Sequence, residues 1–132
     1  MSVPYLRKSV RAAAILTTGY VAGTVLWVDT EAYTDRSPKN QLVLDVVFAL
    51  GSLDYGLIKL EFSHDNVTYF QEVAESVSGG VITDTLAERK LPATGNYSIP
   101  VPIKAQYVKI SAKGSGTVTS SSMTIDAVLG VS

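Results

Sequence analysis

Cysteine is absent from this chain, which removes disulfides, thiolate catalysis and cysteine-ligated zinc together and leaves packing or assembly as the source of any ruggedness. Histidine is nearly absent as well. His64 is the single one, so a Ser-His-Asp relay would have to run through it. Its neighbours Ser63 and Asp65 are adjacent in sequence, where strand residues point to opposite faces, so the tripeptide cannot close into a relay. A more distant Ser or Asp would need a strained nucleophile turn of the G-x-S-x-G kind, and the sequence has none. His64 is expected to be an exposed turn residue. Charge of one sign is also scarce. Eleven Lys and Arg nearly balance twelve Asp and Glu, which gives no broad electrostatic reason to expect nucleic acid or an anionic membrane as partner.

Long hydrophobic runs are missing too. Arg7, Lys8 and Arg11 precede the apolar AAAIL and imitate the start of a secretory signal, but Thr17, Thr18 and Gly19 break the run, which is too short to cross a bilayer as a helix. The expected alternative is an extended N-terminal arm, Met1 to Arg11, whose Pro4 and clustered positive charge suit docking on another surface. Tyr5, Arg7, Lys8 and Arg11 are its candidate contacts; a frayed, solvated tail is the plainer reading.

What remains is a chain of 132 residues with 17% charged residues, enough for one domain with a real core and too apolar for disorder. Its clearest pattern is LIKLEFSHDNVTYFQEV, Leu57 to Val73. Ile58, Leu60 and Phe62 fall on one face while Lys59, Glu61 and Ser63 fall on the other, the period of a half-buried strand. Ser63-His64-Asp65-Asn66 supplies a polar turn, and Val67 to Glu72 form a less cleanly alternating partner strand. Thr24 to Asp29 also has strand character, and Gln41 to Leu50 alternates Leu42, Leu44, Val46 and Phe48 against Val43, Asp45 and Val47. Gly51 to Gly56 is expected to form a turn, Ala74 to Ala93 a long surface loop holding one strand, and the alternate prolines of Tyr97 to Pro102 an extended edge segment. Tyr107 to Ala112 and Ser122 to Leu129 alternate again, separated by a glycine-bearing turn at Lys113 to Gly116. Short, regularly spaced strands with no convincing long helix predict an all-β fold: an antiparallel two-sheet β-sandwich, jelly-roll-like, over residues 12–132, behind the arm of residues 1–11.

Chemistry-bearing constellations are thin. The carboxylate pairs Glu72/Glu75 and Asp54/Glu61 have the residue types of a glycosidase, but solvated surface charge is the expected state of both. Asp29, Glu31 and Asp35 could gather oxygens around calcium, without the dense Asp/Asn/Gly spacing of a dedicated loop. KGSGTVT leads into a strand, so no helix N-terminus is expected to cradle a phosphate. No cofactor is expected, and the chain is not expected to be an enzyme.

SHDNVTYF loosely resembles the S-x-D-x-x-x-W hairpin of discoidin-like and other carbohydrate-associated β-sandwiches, with Tyr69 near the usual tryptophan; in those folds the motif is largely structural. With one tryptophan and seven scattered tyrosines, no exposed aromatic platform assembles from the sequence, and core packing is the expected role of most of them. LIKLEFSHDNVTYFQEV together with NYSIPVPIKAQYVKISAKGSGTVTSSSMTIDAVLG is similar to small virion proteins of tailed bacteriophages, over roughly the last two-thirds of the chain. The resemblance implies a structural β-sandwich, present in many copies and assembled in the host cytoplasm. It would decorate the capsid beside the major capsid protein, or sit at the neck or tail, with homo-oligomers expected. A carbohydrate-binding module is the alternative of another class, and a small hydrolase a distant third.

Overall fold

The protein is described from a computed structural model, covering residues 5–28 and 41–130. The candidate calcium loop Asp29, Glu31, Asp35 and residues 1–4 of the expected arm lie outside the described residues. Every regular element among the described residues is a strand. In chain order these are β1 (Tyr5–Ala14), β2 (Val21–Ala22), β3 (Leu26–Trp27), β4 (Gln41–Ala49), β5 (Leu53–Ser63), β6 (Phe70–Gln71), β7 (Val73–Ser78), β8 (Val81–Leu86), β9 (Arg89–Leu91), β10 (Gly95–Val101), β11 (Tyr107–Gly116) and β12 (Ser122–Gly130).

All pairings are antiparallel. The first sheet runs β1-β12-β4-β10; the second runs β2-β11-β5-β6, with β3 also on β11 and β9 also on β5; β7 and β8 form a third sheet by themselves. Strand alternation drives the arrangement. On β4 the residues Leu42, Leu44, Val46 and Phe48 are buried, as are Met123, Ile125, Ala127 and Leu129 on β12. Ile58, Leu60 and Phe62 on β5 and Val108, Ile110 and Ala112 on β11 do the same for the second sheet. These two sets belong to one continuous hydrophobic core. The sheets touch where β5 carries Gly56: a Cβ there would stand 3.0 Å from Phe48 Cζ and 3.3 Å from Met123 Cε. Burying that much aliphatic surface, at about 25 cal/mol per Å² removed from water, is the main stabilising contribution in a chain without disulfides.

Several expectations need correction. Residues 5–11 do not form an arm: they are the first part of β1, which pairs with β12 from Tyr5 opposite Gly130 to Ala14 opposite Met123, so a boundary at residue 11 cuts a strand in the middle. Val10 and, beyond the strand, Leu16 enter the core, which holds the segment down. The turn expected at residues 51–56 shrinks to Gly51-Ser52, because β5 begins at Leu53 and Gly56 is buried within it. β11 continues through Lys113 to Gly116, so that turn moves beyond Gly116. Of the strand expected over residues 24–29, Asp29 lies outside the described residues, and among the rest only Leu26–Trp27 form a strand. The partner expected after the SHDN turn is reduced to Phe70–Gln71, and the supposed loop Ala74 to Ala93 holds most of three strands. The edge assignment for Tyr97 to Pro102 fits β10, which among the described residues pairs with β4 alone and accommodates Pro100 opposite Val43.

Candidate interaction surface

The residues nominated on the supposed arm are largely engaged by the fold. Arg7 reaches across the first sheet, its Nη1 donating to Asp45 Oδ2 at 2.9 Å and its Nη2 to Asp126 Oδ2 at 3.1 Å. The hydrogen bonds to Asp45 and then Asp126 raise its pKa further. Arg11 donates from Nε to the carbonyl of Met123 and from Nη2 to those of Ala14 and Ile15, where partial burial lowers its pKa. It ties the end of β1 to β12. Lys8 is exposed, opposite Ala127 in the register, and Tyr5 stands opposite Gly130. A charged edge strand discourages pairing with another chain, so these positions suit protection of the sheet edge as well as contact.

The SHDN segment is a self-capped turn. Buried Ser63 donates through Oγ to Asp65 Oδ1 at 2.9 Å and accepts from the backbone N–H of Asp65 and Asn66, while Asp65 Oδ1 accepts from the N–H of Val67 and Thr68, each at 2.9 Å. Asn66 takes a φ of 60°, which a short amide side chain tolerates, and its Oδ1 accepts from the Tyr69 hydroxyl. His64 is exposed, with no part in this network. The motif that resembles carbohydrate-associated hairpins is thus a turn-building device. The hydrogen bonds from Thr68 and Val67, then that from Ser63, hold the Asp65 carboxylate below its ordinary pKa. A depressed carboxylate contributes stability above its unfolded pKa of about 3.9 that is lost as pH falls through the lower folded value. We therefore expect Asp65→Ala to lower the urea midpoint at pH 7 and the gap to wild type to narrow as pH falls below about 4. A gap that persisted unchanged to pH 2 would overturn the charged role of Asp65.

The carboxylate pairs fare no better as catalysts. Asp54 and Glu61 lie toward opposite ends of β5, whose rise of about 3.3 Å per residue sets them roughly 20 Å apart. Glu72 pairs with Arg89, Oε2 to Nη2 at 2.9 Å, and Glu75 sits on β7 facing Asp84 on β8. Neither pair frames a cleft.

Two surfaces stand out instead. The first is the outer face of the second sheet, where Tyr107, Lys109 and Lys113 of β11 are half-buried and Ser111, on the same side, is covered, in alternation with the core residues Val108, Ile110 and Ala112. Lys109 stands opposite Glu61, Ser111 opposite Lys59, Lys113 opposite Leu57 and Ser115 opposite Tyr55. Aromatic rings and ammonium groups tile this face. Lys59 and Lys113 both lie 4.7 Å from the Tyr20 ring centre, Lys90 lies 4.4 Å from Tyr55 and Lys109 3.9 Å from Tyr69. Trp27 stacks on Tyr107 at 6.4 Å and 14°. Desolvation, and then the hydrogen bond from its hydroxyl to Glu88, raise the pKa of Tyr20. The expectation that most tyrosines pack in the core is thereby corrected: none of Tyr20, Tyr55, Tyr69, Tyr97, Tyr107 and Trp27 is buried in the core, though Tyr97 packs at its margin. The signal was present in Y-V-K-I-S-A-K, whose outward positions carry an aromatic and two lysines.

The second surface is the hairpin of β7 and β8, every residue of which is exposed. Gly79-Gly80 form its two-residue turn with φ of 58° and 78°, the left-handed pair that a type I′ connection requires. Register sorts the side chains. Val73/Leu86, Glu75/Asp84 and Val77/Ile82 lie on one face, while Ala74/Thr85, Ser76/Thr83 and Ser78/Val81 lie on the other. Val77 is 70% exposed, Ile82 63% and Leu86 66%. At the root, Glu72 is clamped from three directions. Its N–H donates to Leu60, its carbonyl accepts from Ala87 and its carboxylate holds Arg89. A two-stranded hairpin with no third strand and no packed face is marginal in water, so an apolar face here calls for a partner. The V-S-G-G-V sequence at its tip is the cue that marks a hairpin rather than a flexible loop.

Neither protein-family models nor curated proteins give a match to this chain.

Proposed function

We propose that this chain is a non-enzymatic structural protein of a tailed-bacteriophage virion, a decoration or auxiliary protein of the capsid, with a neck or tail position as the nearest variant. In this reading its two larger sheets pack as a β-sandwich of jelly-roll type, and its partners are the major capsid protein or other virion proteins, together with further copies of itself. The observation that carries an assembly role is the exposed β7–β8 hairpin, whose Val73, Val77, Ile82 and Leu86 lie along one face. Such an element gains stability only when something covers it. Binding to an assembled shell and not to free subunits favours the shell by mass action.

The aromatic face favours a carbohydrate-binding module as the second reading. Against it, ammonium groups lie over the rings of Tyr20, Tyr55 and Tyr69, the faces on which a sugar would stack. Antibody raised against the purified chain and applied to tailed particles from the strain that encodes it separates the readings by electron microscopy. Regular labelling over the capsid is the expected result, and labelling confined to neck or tail supports the variant. Unlabelled particles, with saturable binding of the monomer to immobilised glycans, would overturn the virion reading.

A further inference from the structure

The geometry points to head-to-tail self-association, in which the β7–β8 hairpin of one copy docks on the outer face of the second sheet of the next. This rests on the assembly reading above and names the occupant of the hairpin. Along the hairpin the order is apolar, acidic, apolar: Val73/Leu86, then Glu75/Asp84, then Val77/Ile82. Along β11 the outer face is aromatic at both ends and carries its lysines, packed against the Tyr20 and Tyr69 rings, between them. Tyr107 stacked on Trp27 stands at one end, Lys109, Lys59 and Lys113 lie between, and Tyr55 opposite Ser115 closes the other. The two patterns are complementary in charge and in apolar character.

Other pairings leave something uncompensated. Glu75 and Asp84 stand directly opposite one another, an arrangement that like charges disfavour unless a cation joins them. Packing two hairpins face to face would bring four such carboxylates together. Pairing hairpin edges would leave Val77, Ile82 and Leu86 in water. Lysines of a neighbouring copy supply the missing cation, and four of them, Lys59, Lys90, Lys109 and Lys113, share their face with Glu61 and Glu88. The hairpin does not rest on this face of its own chain, since all its residues are exposed. Because the two docking surfaces differ, the contact is heterologous and propagates as a ring or a filament.

Light scattering of the full chain across a concentration series should show mass above the monomer, falling as salt is raised and the acid–base contacts are screened. Glu75→Lys/Asp84→Lys on the hairpin and Lys109→Glu/Lys113→Glu on the sheet should each weaken association by about tenfold or more, because each juxtaposes like charges. An equimolar mixture of the two double variants should regain the mass, since each then meets its opposite. Unchanged urea midpoints would establish that both variants fold. A chain that stays monomeric at every concentration, or a mixture that does not regain mass, overturns the head-to-tail contact. So does loss of association on changing the hairpin but not the sheet, which would assign the hairpin to a different partner. Particle labelling by the antibody is independent of all these outcomes, so the virion reading and this contact fail separately.

Discussion

Phe48→Ala should cost about 3–5 kcal/mol, the range for truncating a buried phenylalanine, against a total of about 5–15 kcal/mol for a domain. Phe48 is 1% exposed and projects from β4 of the first sheet onto Gly56 of the second, with Met123 of β12 beside it. Removing the ring deletes contacts on both sheets at once and leaves a void that strands held by backbone hydrogen bonds cannot easily close. The adjacent Val47 is 54% exposed on the opposite face, so Val47→Ala should change stability by no more than about 0.5 kcal/mol. Gly56 permits a sharper check. Gly56→Ala places a methyl 3.0 Å from Phe48 Cζ and should destabilise the wild type, yet it should be better tolerated in the Phe48→Ala background, where the ring is gone and the flexible tip of Met123, at 3.3 Å, can move into the vacated space. Urea midpoints of the four proteins give the coupling directly. Additive effects would mean that the ring and the glycine do not share a contact.

The elements that were legible before the structure are those with one buried face. In Gln41 to Leu50 and Ser122 to Leu129 a period of two separates core from outside, and the buried residues Leu42, Leu44, Val46, Phe48, Met123, Ile125, Ala127 and Leu129 fall where alternation puts them. Segments without that contrast were not legible. β7 and β8 expose both faces, so burial leaves no alternating mark in ESVSGGVITDTL, and only Gly79-Gly80 signals the chain reversal. β1 pairs along one edge, and its basic residues resemble those of a free arm, because register with β12 depends on backbone groups that side chains do not advertise. The aromatic face was hidden for a related reason. A tyrosine is compatible with a core or with an outer sheet face; the choice depends on whether Leu, Ile, Val, Phe and Met already fill the interior, as they do here.

Gly51→Ala is expected to be the most damaging change outside the core, about 2–4 kcal/mol, combining left-handed backbone strain with a collision. Gly51 and Ser52 carry the chain from β4 of the first sheet to β5 of the second, so this short turn sets how the sheets are joined. Its φ is 57°, and a Cβ there would lie 2.4 Å from the carbonyl oxygen of Ser120 and 2.6 Å from its carbonyl carbon. Backbone cannot yield as a side-chain tip can. The Ser120 segment is itself fastened nearby: Ser52 Oγ donates to Thr117 O at 2.7 Å, pairs with Thr119 Oγ1 at 2.8 Å and accepts from the Thr119 N–H at 3.3 Å. Moving the segment away therefore loosens the turn that the substitution strains. Gly79 provides the control, with a φ of 58° and nothing within 4 Å of its would-be Cβ. Gly79→Ala incurs only the local backbone cost, about 1–2 kcal/mol at most. In thermal melts each kcal/mol shifts Tm by roughly 3–5 °C for a domain of this size, so Gly51→Ala should melt about 10 °C lower than wild type. Equal shifts for the two alanine variants would assign the whole effect to φ and remove the contact between Gly51 and Ser120 from the account of how the sheets are held together.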